Sequence, residues 1–404
     1  MEFLQRFSGQ HILFYDTDGT PVTQSRLLDL MTTIPPSSDP VQVLVMEQKV
    51  RSLAAFFQAL DSGTPCVLCS AADETQVADT LMQTGTHVIE GKPLLGFLSS
   101  ATSGRPQMVW HDTATFLKRY THSERPIKAL CFYAADHIAF VDVMLSTLAC
   151  NGVLYLQNAL NAISAWKFIQ SNQINTLFAG PSFLQMLAMQ APEPVPDSSL
   201  KKIIYGSERM PLATLETLKR IFPVVQLKNV FATTQALRPR MQTDPEDETF
   251  YKMGEHGLDH KIEEDVLFLK KPESLQYILD GNQWIVPTDF LNTGDLVEVN
   301  ERGYYRITAR TSRSIHVGGE KVSPEKITDL LTSIPGVLDA HVYGEANALL
   351  GEMVCADIVK VITVDEDTMK QCIREICRTR LRPAEMPVKI TFVPEIRVSA
   401  RGKR

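Results

Sequence analysis

From residue 41 to residue 231, short apolar runs alternate with segments of helical period, and that alternation limits the chain to few architectures. "VQVLVM" (41–46), "PCVLCS" (65–70) and "THVIEG" (86–91) read as strands. Between them, "KVRSLAAFFQALDSG" (49–63) and "DETQVADTLMQTG" (73–85) read as helices that stop at glycine. The pattern resumes with "IKALCFY", "GVLYLQ", "INTLFAG", "LKKIIYG" and "VQLKNVF", each separated from the next by a helical stretch. Such an order predicts an α/β fold, a mostly parallel sheet covered by helices. At 404 residues the chain exceeds one simple core and predicts two or three subdomains.

The pattern changes twice more. Residues 250–309 carry short strands and turns, with "LQYILDGNQWIV" folding back at Gly281-Asn282, and predict a small antiparallel or barrel-like subdomain. Beyond it, Ser323 and Pro324 open a helix to about Ser333. The strands "LDAHVYG" and "MVCADIVKV", the helix "DEDTMKQCIREICRTRL" and the strand "VKITFVP" complete a separate α+β unit.

Several function classes are excluded early. The net charge of −7 argues against general nucleic-acid binding. No apolar run approaches the roughly 18 residues of a membrane span, and the opening "MEFLQRFSGQHILFYD" has no basic segment leading into an apolar one, so a cytoplasmic location is expected. Seven cysteines are scattered; Cys66 and Cys69 form a CxxC inside an apolar strand, with no second pair at zinc spacing, and predict packed, reduced thiols.

The stretch "FLSSATSGRPQMVWH" (97–111) crowds four hydroxyls and a glycine together, and predicts an exposed loop whose hydroxyls and N–H groups could cradle phosphate. Trp110 and His111 behind it are expected to pack. No P-loop, dinucleotide fingerprint, nucleophile elbow or HExxH motif is present. Four later stretches complete a set: "KNVFATTQA" (228–236), "NTGDLVEVNERGYYRITARTSRSIHVGGEKVSPEKI" (292–327), "LRPAEMP" (381–387) and "RVSARGKR" (397–404).

In this order the five motifs resemble the adenylate-forming superfamily of acyl-CoA synthetases, aryl-acid ligases, adenylation domains and luciferases, over about residues 20–404. The resemblance implies a large N-terminal domain (1–309) of mixed sheets with a small barrel-like subdomain, a hinge (310–313) containing Ser312, and a small mobile C-terminal domain (314–404). Ser99, Ser100, Thr102, Ser103 and Gly104 fall on the loop that clamps the β- and γ-phosphates of ATP, with Gln107 where the family has Lys. Phe231, Ala232, Thr233, Thr234 and Gln235 fall on YGxTE: Thr234 would contact the α-phosphate, and Gln235 replaces the Glu that helps hold Mg²⁺. Asp295 and Arg310 match ribose contacts; facing ligand rather than core, Asp295 is expected to tolerate Ala without loss of folding. Gly318 and Gly319 match a turn lining the thiol tunnel, and Lys403 the cation bridging the acid carboxylate and the α-phosphate.

The function implied is ligation of a small carboxylic acid by way of an acyl-adenylate to coenzyme A or the phosphopantetheine of an acyl carrier protein. His137, Tyr205 and Gly206 are candidate acid-pocket residues, His137 being equally readable as a core histidine; with Phe231 they suit an aromatic or short acyl acid. Residues 371–404 hold nine Lys/Arg against three Glu, a +6 excess that would suit an acidic carrier protein as well as phosphates. A second reading is a relative that binds a ligand or partner without catalysis. Ala101, Gln107, Ala232 and Gln235 support it, and Asp295, Arg310 and Lys403 oppose it.

Overall fold

The computed structural model describes residues 2–35, 37–100, 106–121, 123, 125–157, 161–190, 199–206, 210–239, 241–247, 249–253, 259–311, 314–347, 349–361 and 365–396. The chain packs as two units. The first comprises Met1–Ser207, Lys219–Pro239 and Lys270–Leu291; the second comprises Glu208–Leu218, Arg240–Leu269 and Asn292–Arg404.

Among the described residues, the first unit holds two sheets. One runs in the order Gln226–Asn229, Lys202–Tyr205, Thr176–Ala179, Lys128–Cys131, Val153–Tyr155, Ile12–Tyr15 and Pro21–Thr23. All its neighbours are parallel except the last pair, as the strand–helix alternation requires. The helix Ile138–Ala149 packs with its apolar residues buried almost all round, from Ile138 and Phe140 to Leu148. Such a helix lies in the core instead of on it.

The second sheet runs Gln283–Ile285, Leu275–Asp280, Pro106–Asp112, Leu94–Ser100, Cys66–Cys69 and Gln42–Val45. Burial pushes the Cys66 thiol up to about 12, as it does Cys69, so neither offers a thiolate at neutral pH. The helix Val50–Ser62 ends where Gly63 takes φ +70°, the left-handed stop read from sequence.

Three local expectations are corrected. "THVIEG" forms a turn, not a strand: Ile89 and Glu90 both donate to the Thr86 carbonyl, and buried Ile89 is its apolar anchor. The stretch 97–111 is mostly a hairpin, because Leu94–Ser100 pairs with Pro106–Asp112 and Phe97, Val109 and Trp110 are fully buried. The hairpin turning at Gly281, with φ +56°, forms as read, but pairs through Tyr277, Ile278 and Leu279 with Trp110, Val109 and Met108. It therefore extends the second sheet instead of the small antiparallel subdomain.

That subdomain is the antiparallel sheet Met241–Thr243, Tyr251–Met253, Tyr305–Arg310, Phe290–Val299, Val266–Lys270 and His260–Glu263. The C-terminal α+β portion is a five-stranded sheet in the described residues, backed by the helices Pro324–Thr332 and Glu366–Arg380. Ser323 caps the first of these by accepting from the Lys326 N–H, with Pro324 at the first position. No helix among the described residues is long and apolar enough to cross a membrane.

Candidate functional site

The strand Gln226–Asn229 ends in a segment without regular structure, residues 230–237, whose backbone groups must find partners locally. Thr233 and Leu237 exchange both backbone bonds, at 3.2 and 2.8 Å, and the Thr233 hydroxyl accepts from the Ala236 N–H at 2.8 Å. Leu237 takes φ +62° to close this turn. The Thr234 carbonyl points elsewhere: His111 Nε2 donates to it at 2.9 Å.

His111 is fully buried. Burial drives its imidazole down to about 4, with the Thr234 carbonyl acting against that shift and the Arg119 charge with it. The ring is therefore neutral at pH 7. A carbonyl can only accept, so the single ring proton resides on Nε2, and Nδ1, 3.1 Å away, accepts from the Ser274 hydroxyl. His111 was expected to pack only; it also fixes the turn carrying Thr233 and Thr234. The signal was a histidine inside an apolar strand, which has to find polar partners when buried.

A second tether runs beside it. Gln235 Nε2 donates to Gln107 Oε1 at 3.1 Å, and Gln107 Nε2 donates to Asp280 Oδ2 at 2.9 Å. The two glutamines standing where related motifs carry Lys and Glu are thus joined to each other, and neither adds a charge. Ser99 and Ser100 close their strand opposite Gln107 and Pro106. Thr102, Ser103 and Gly104 lie outside the described residues, as do Ser312 and Lys403.

Tyr205 ends its strand buried, its phenol pushed by burial up to about 12, and Gly206 follows. A Cβ on Gly206 would meet the Val230 carbonyl oxygen at 2.4 Å, so only glycine allows the two segments this approach. Gly206, Ala232 and Thr233 line one pocket with Ile138, Phe178 and Leu237, most of it apolar. Phe231 is buried, while His137 caps the Ile138–Ala149 helix, its Nδ1 accepting from the Ala139 N–H at 3.1 Å. Sequence reasoning left pocket and core roles open for His137 and missed the cap.

In the second unit, Asp295 and Arg310 stand opposite each other across two antiparallel strands. Arg310 Nε donates to Asp295 Oδ1 at 2.7 Å. Two residues read separately as ligand contacts are one ion pair. Asp295 is 1% exposed. Its replacement by Ala would leave a gap in a buried strand, while Arg310, with 40% of its side chain open, would stay hydrated; the burial of Asp295 corrects the expectation that folding would be spared. Thr293 helps to hold the position, its hydroxyl donating to the Leu267 carbonyl at 2.8 Å and accepting from the Asp295 N–H at 3.1 Å. Gly318 and Gly319, at φ +58° and +90°, form the two-residue turn between Ile315–Val317 and Glu320–Val322.

The family model for the AMP-binding enzyme matches residues 40–256, and that for the AMP-binding enzyme C-terminal domain matches residues 326–403. The chain belongs to the AMP-binding enzyme family. This AMP-binding enzyme is 25% identical over 322 residues to a 2-succinylbenzoate–CoA ligase of Listeria monocytogenes serotype 4b (strain F2365), a match covering 76% of the chain and 67% of the relative. It is 22% identical over 382 residues to a 4-chlorobenzoate–CoA ligase of Arthrobacter sp, covering 84% and 72%. Its fold matches the crystal structure of the anthranilate CoA ligase AuaEII in complex with anthranoyl-AMP, with TM-score 0.76 at 14% identity, covering 100% of this chain and 94% of that one. It also matches o-succinylbenzoate CoA synthetase (MenE) from Bacillus subtilis in complex with its acyl-adenylate intermediate, with TM-score 0.72 at 17% identity, covering 99% and 96%.

The neutral His111 ties the AMP-binding enzyme's stability to pH. Its folded pKa lies below that of an exposed histidine, so the unfolded chain binds the extra proton between about pH 6.5 and 4, and stability falls as pH falls through that window. The contribution is on the order of 3 kcal/mol. His111→Gln retains a donor for Thr234 without a titrating group. Urea unfolding at pH 7 and pH 4.5 is expected to show a smaller acid loss in this variant than in the parent chain; equal losses would remove His111 as the cause.

Proposed function

We propose that the chain is an ATP-dependent carboxylic-acid ligase. An acid and ATP give an acyl-adenylate and pyrophosphate, and the acyl group then passes to the thiol of coenzyme A. The observation that carries this reading is that Ala232 and Thr233, on the turn matching the α-phosphate motif, also form the wall of an apolar pocket. An acid seated there presents its carboxylate where an adenylate would form. An aromatic or short acyl acid suits the pocket, in keeping with the succinylbenzoate, chlorobenzoate and anthranilate named for the relatives.

Roles follow for the remaining residues. Ser99, Ser100, Thr102, Ser103 and Gly104 hold the outer phosphates, Thr234 the α-phosphate, and Asp295 with Arg310 the ribose. Lys403 neutralises charge as the carboxylate attacks. Residues 310–313, with Ser312, form the hinge that lets residues 314–404 bring Gly318 and Gly319 to the thiol in the second half-reaction. Among the described residues no group of three His, Cys, Asp or Glu side chains could hold a metal ion. Gln235 offers a neutral amide oxygen, a donor type Mg²⁺ accepts when substrate phosphates supply the charge.

A carrier protein as acceptor is the second reading. It is favoured by Arg374, Arg378 and Arg380, which are exposed along the helix Glu366–Arg380. Arg382 and Lys389 contribute less to such a surface, since Arg382 pairs with Glu320 and Glu385, and Lys389 with Glu345.

Acid-dependent ATP–pyrophosphate exchange over a panel of aromatic and short acyl acids tests the reading. Exchange with at least one acid is expected, as is its near-abolition in Lys403→Ala while thioester formation from supplied acyl-adenylate survives. Absence of exchange from folded protein with Mg²⁺ and every acid overturns the ligase assignment. Asp295→Asn keeps the size of the side chain and removes its charge. Charge-assisted hydrogen bonds contribute about 1.5–3 kcal/mol each, so equilibrium ATP binding is expected to weaken about tenfold or more. An unchanged affinity would take Asp295 out of the nucleotide site.

A further inference from the structure

The helix Ile138–Ala149 carries a single charged side chain, Asp142. A carboxylate in such surroundings requires hydrogen bonds and opposite charge. Arg238 Nε lies 3.2 Å from its Oδ2, while Tyr120 donates to Oδ1 at 3.1 Å and the Arg119 guanidinium reaches to 3.9 Å. Burial first, and then Asp142, push the Tyr120 phenol far above its ordinary range, so it is a neutral donor. Arg119 also donates to the Arg238 carbonyl at 3.0 Å, and Arg238 to the Ser146 hydroxyl at 3.4 Å. The cluster thus combines two guanidinium charges with one carboxylate.

Its surplus cation is not walled off. Arg119, Asp142 and Arg238 line the same pocket as Gly206, Ala232 and Thr233. The guanidinium-bearing side chains keep 26% and 33% of their surface open, while Val143, Phe178 and Ile204 make the neighbouring wall apolar. Lys228 nearby is held below its ordinary pKa by burial and then by Lys202 and Arg238, a sign of the same cationic bias. In apolar surroundings an extra guanidinium favours an anion, and its planar fork matches a carboxylate better than a halide or a hydroxyl.

We propose that the acid substrate is a dicarboxylic acid: one carboxyl is activated, and the other stays ionised against Arg119 and Arg238. This rests on the ligase reading above and names its substrate class. The arginines recognise the end of the substrate that does not react, and so select among acids that share the reacting group.

Matched pairs test it, because benzoate against isophthalate and butyrate against succinate differ only in the second carboxylate. Dissociation constants are measured by calorimetry on the full chain with an α,β-methylene ATP analogue present, alongside pyrophosphate exchange. A diacid is expected to bind about tenfold or more tightly than its matched monoacid. Arg238→Leu should collapse that ratio towards one, while Asp142→Asn, which frees the arginines from their resident anion, should raise it above the parent value. Changes of opposite sign cannot come from loss of fold. Equal binding within every pair, or a ratio that neither substitution moves, overturns the proposal even if exchange is brisk. A diacid preference that responds to both substitutions, with no exchange from any acid, upholds the diacid pocket and overturns the ligase reading instead.

Discussion

A hydrogen bond from a neutral imidazole joins the strand Pro106–Asp112 to the segment 230–237 of the first unit. The 230–237 segment has no regular ladder to hold it, and the partly buried Thr234 carbonyl would lose its donor if His111 were absent or turned over. Because Ser274 occupies the other ring nitrogen, the tautomer is determined by its two partners. Strand Pro106–Asp112, residue 274 and the 233–237 turn are thereby brought into one rigid arrangement. The pocket wall at Ala232 and Thr233 inherits its position from that arrangement.

Charge is distributed unevenly around this centre. The Gln235–Gln107–Asp280 chain ties the turn to the sheet through two amides and one carboxylate, with no cation in it. The pocket, in contrast, concentrates charge in Arg119, Asp142 and Arg238, where low polarity makes each unit count for more. In the second unit Asp295 and Arg310 neutralise each other across adjacent strands.

The sequence disclosed most clearly what is locally encoded. Periodicity marked the helices, Gly63 and Gly85 marked their ends, and Ser323-Pro324 marked a start, because caps are chosen by residues within a few positions. Family motifs singled out Asp295, Arg310 and residues 231–235, but neither the Asp295–Arg310 ion pair nor the turn closed by Thr233 and Leu237 was legible in them. Long-range choices were hidden. "THVIEG" has a strand's apolar content, yet the bonds to Thr86 and burial of Ile89 make it a turn. The Gly281 hairpin was legible, but its sheet was not, since its partner strand lies more than 160 residues earlier. Likewise the carbonyl that fixes His111 lies 123 residues away. Asp142 was overlooked, although one acid within an apolar helix is a visible demand for cationic partners.

The direct test of the central interaction is a ¹⁵N-resolved histidine spectrum of the full chain, titrated from neutral pH downward and assigned with His111→Gln. His111 is expected to show the Nε2–H tautomer and to stay neutral until about pH 4. A ring that titrates near about 6.5, the value of an exposed histidine, or that carries its proton on Nδ1, would contradict that expectation.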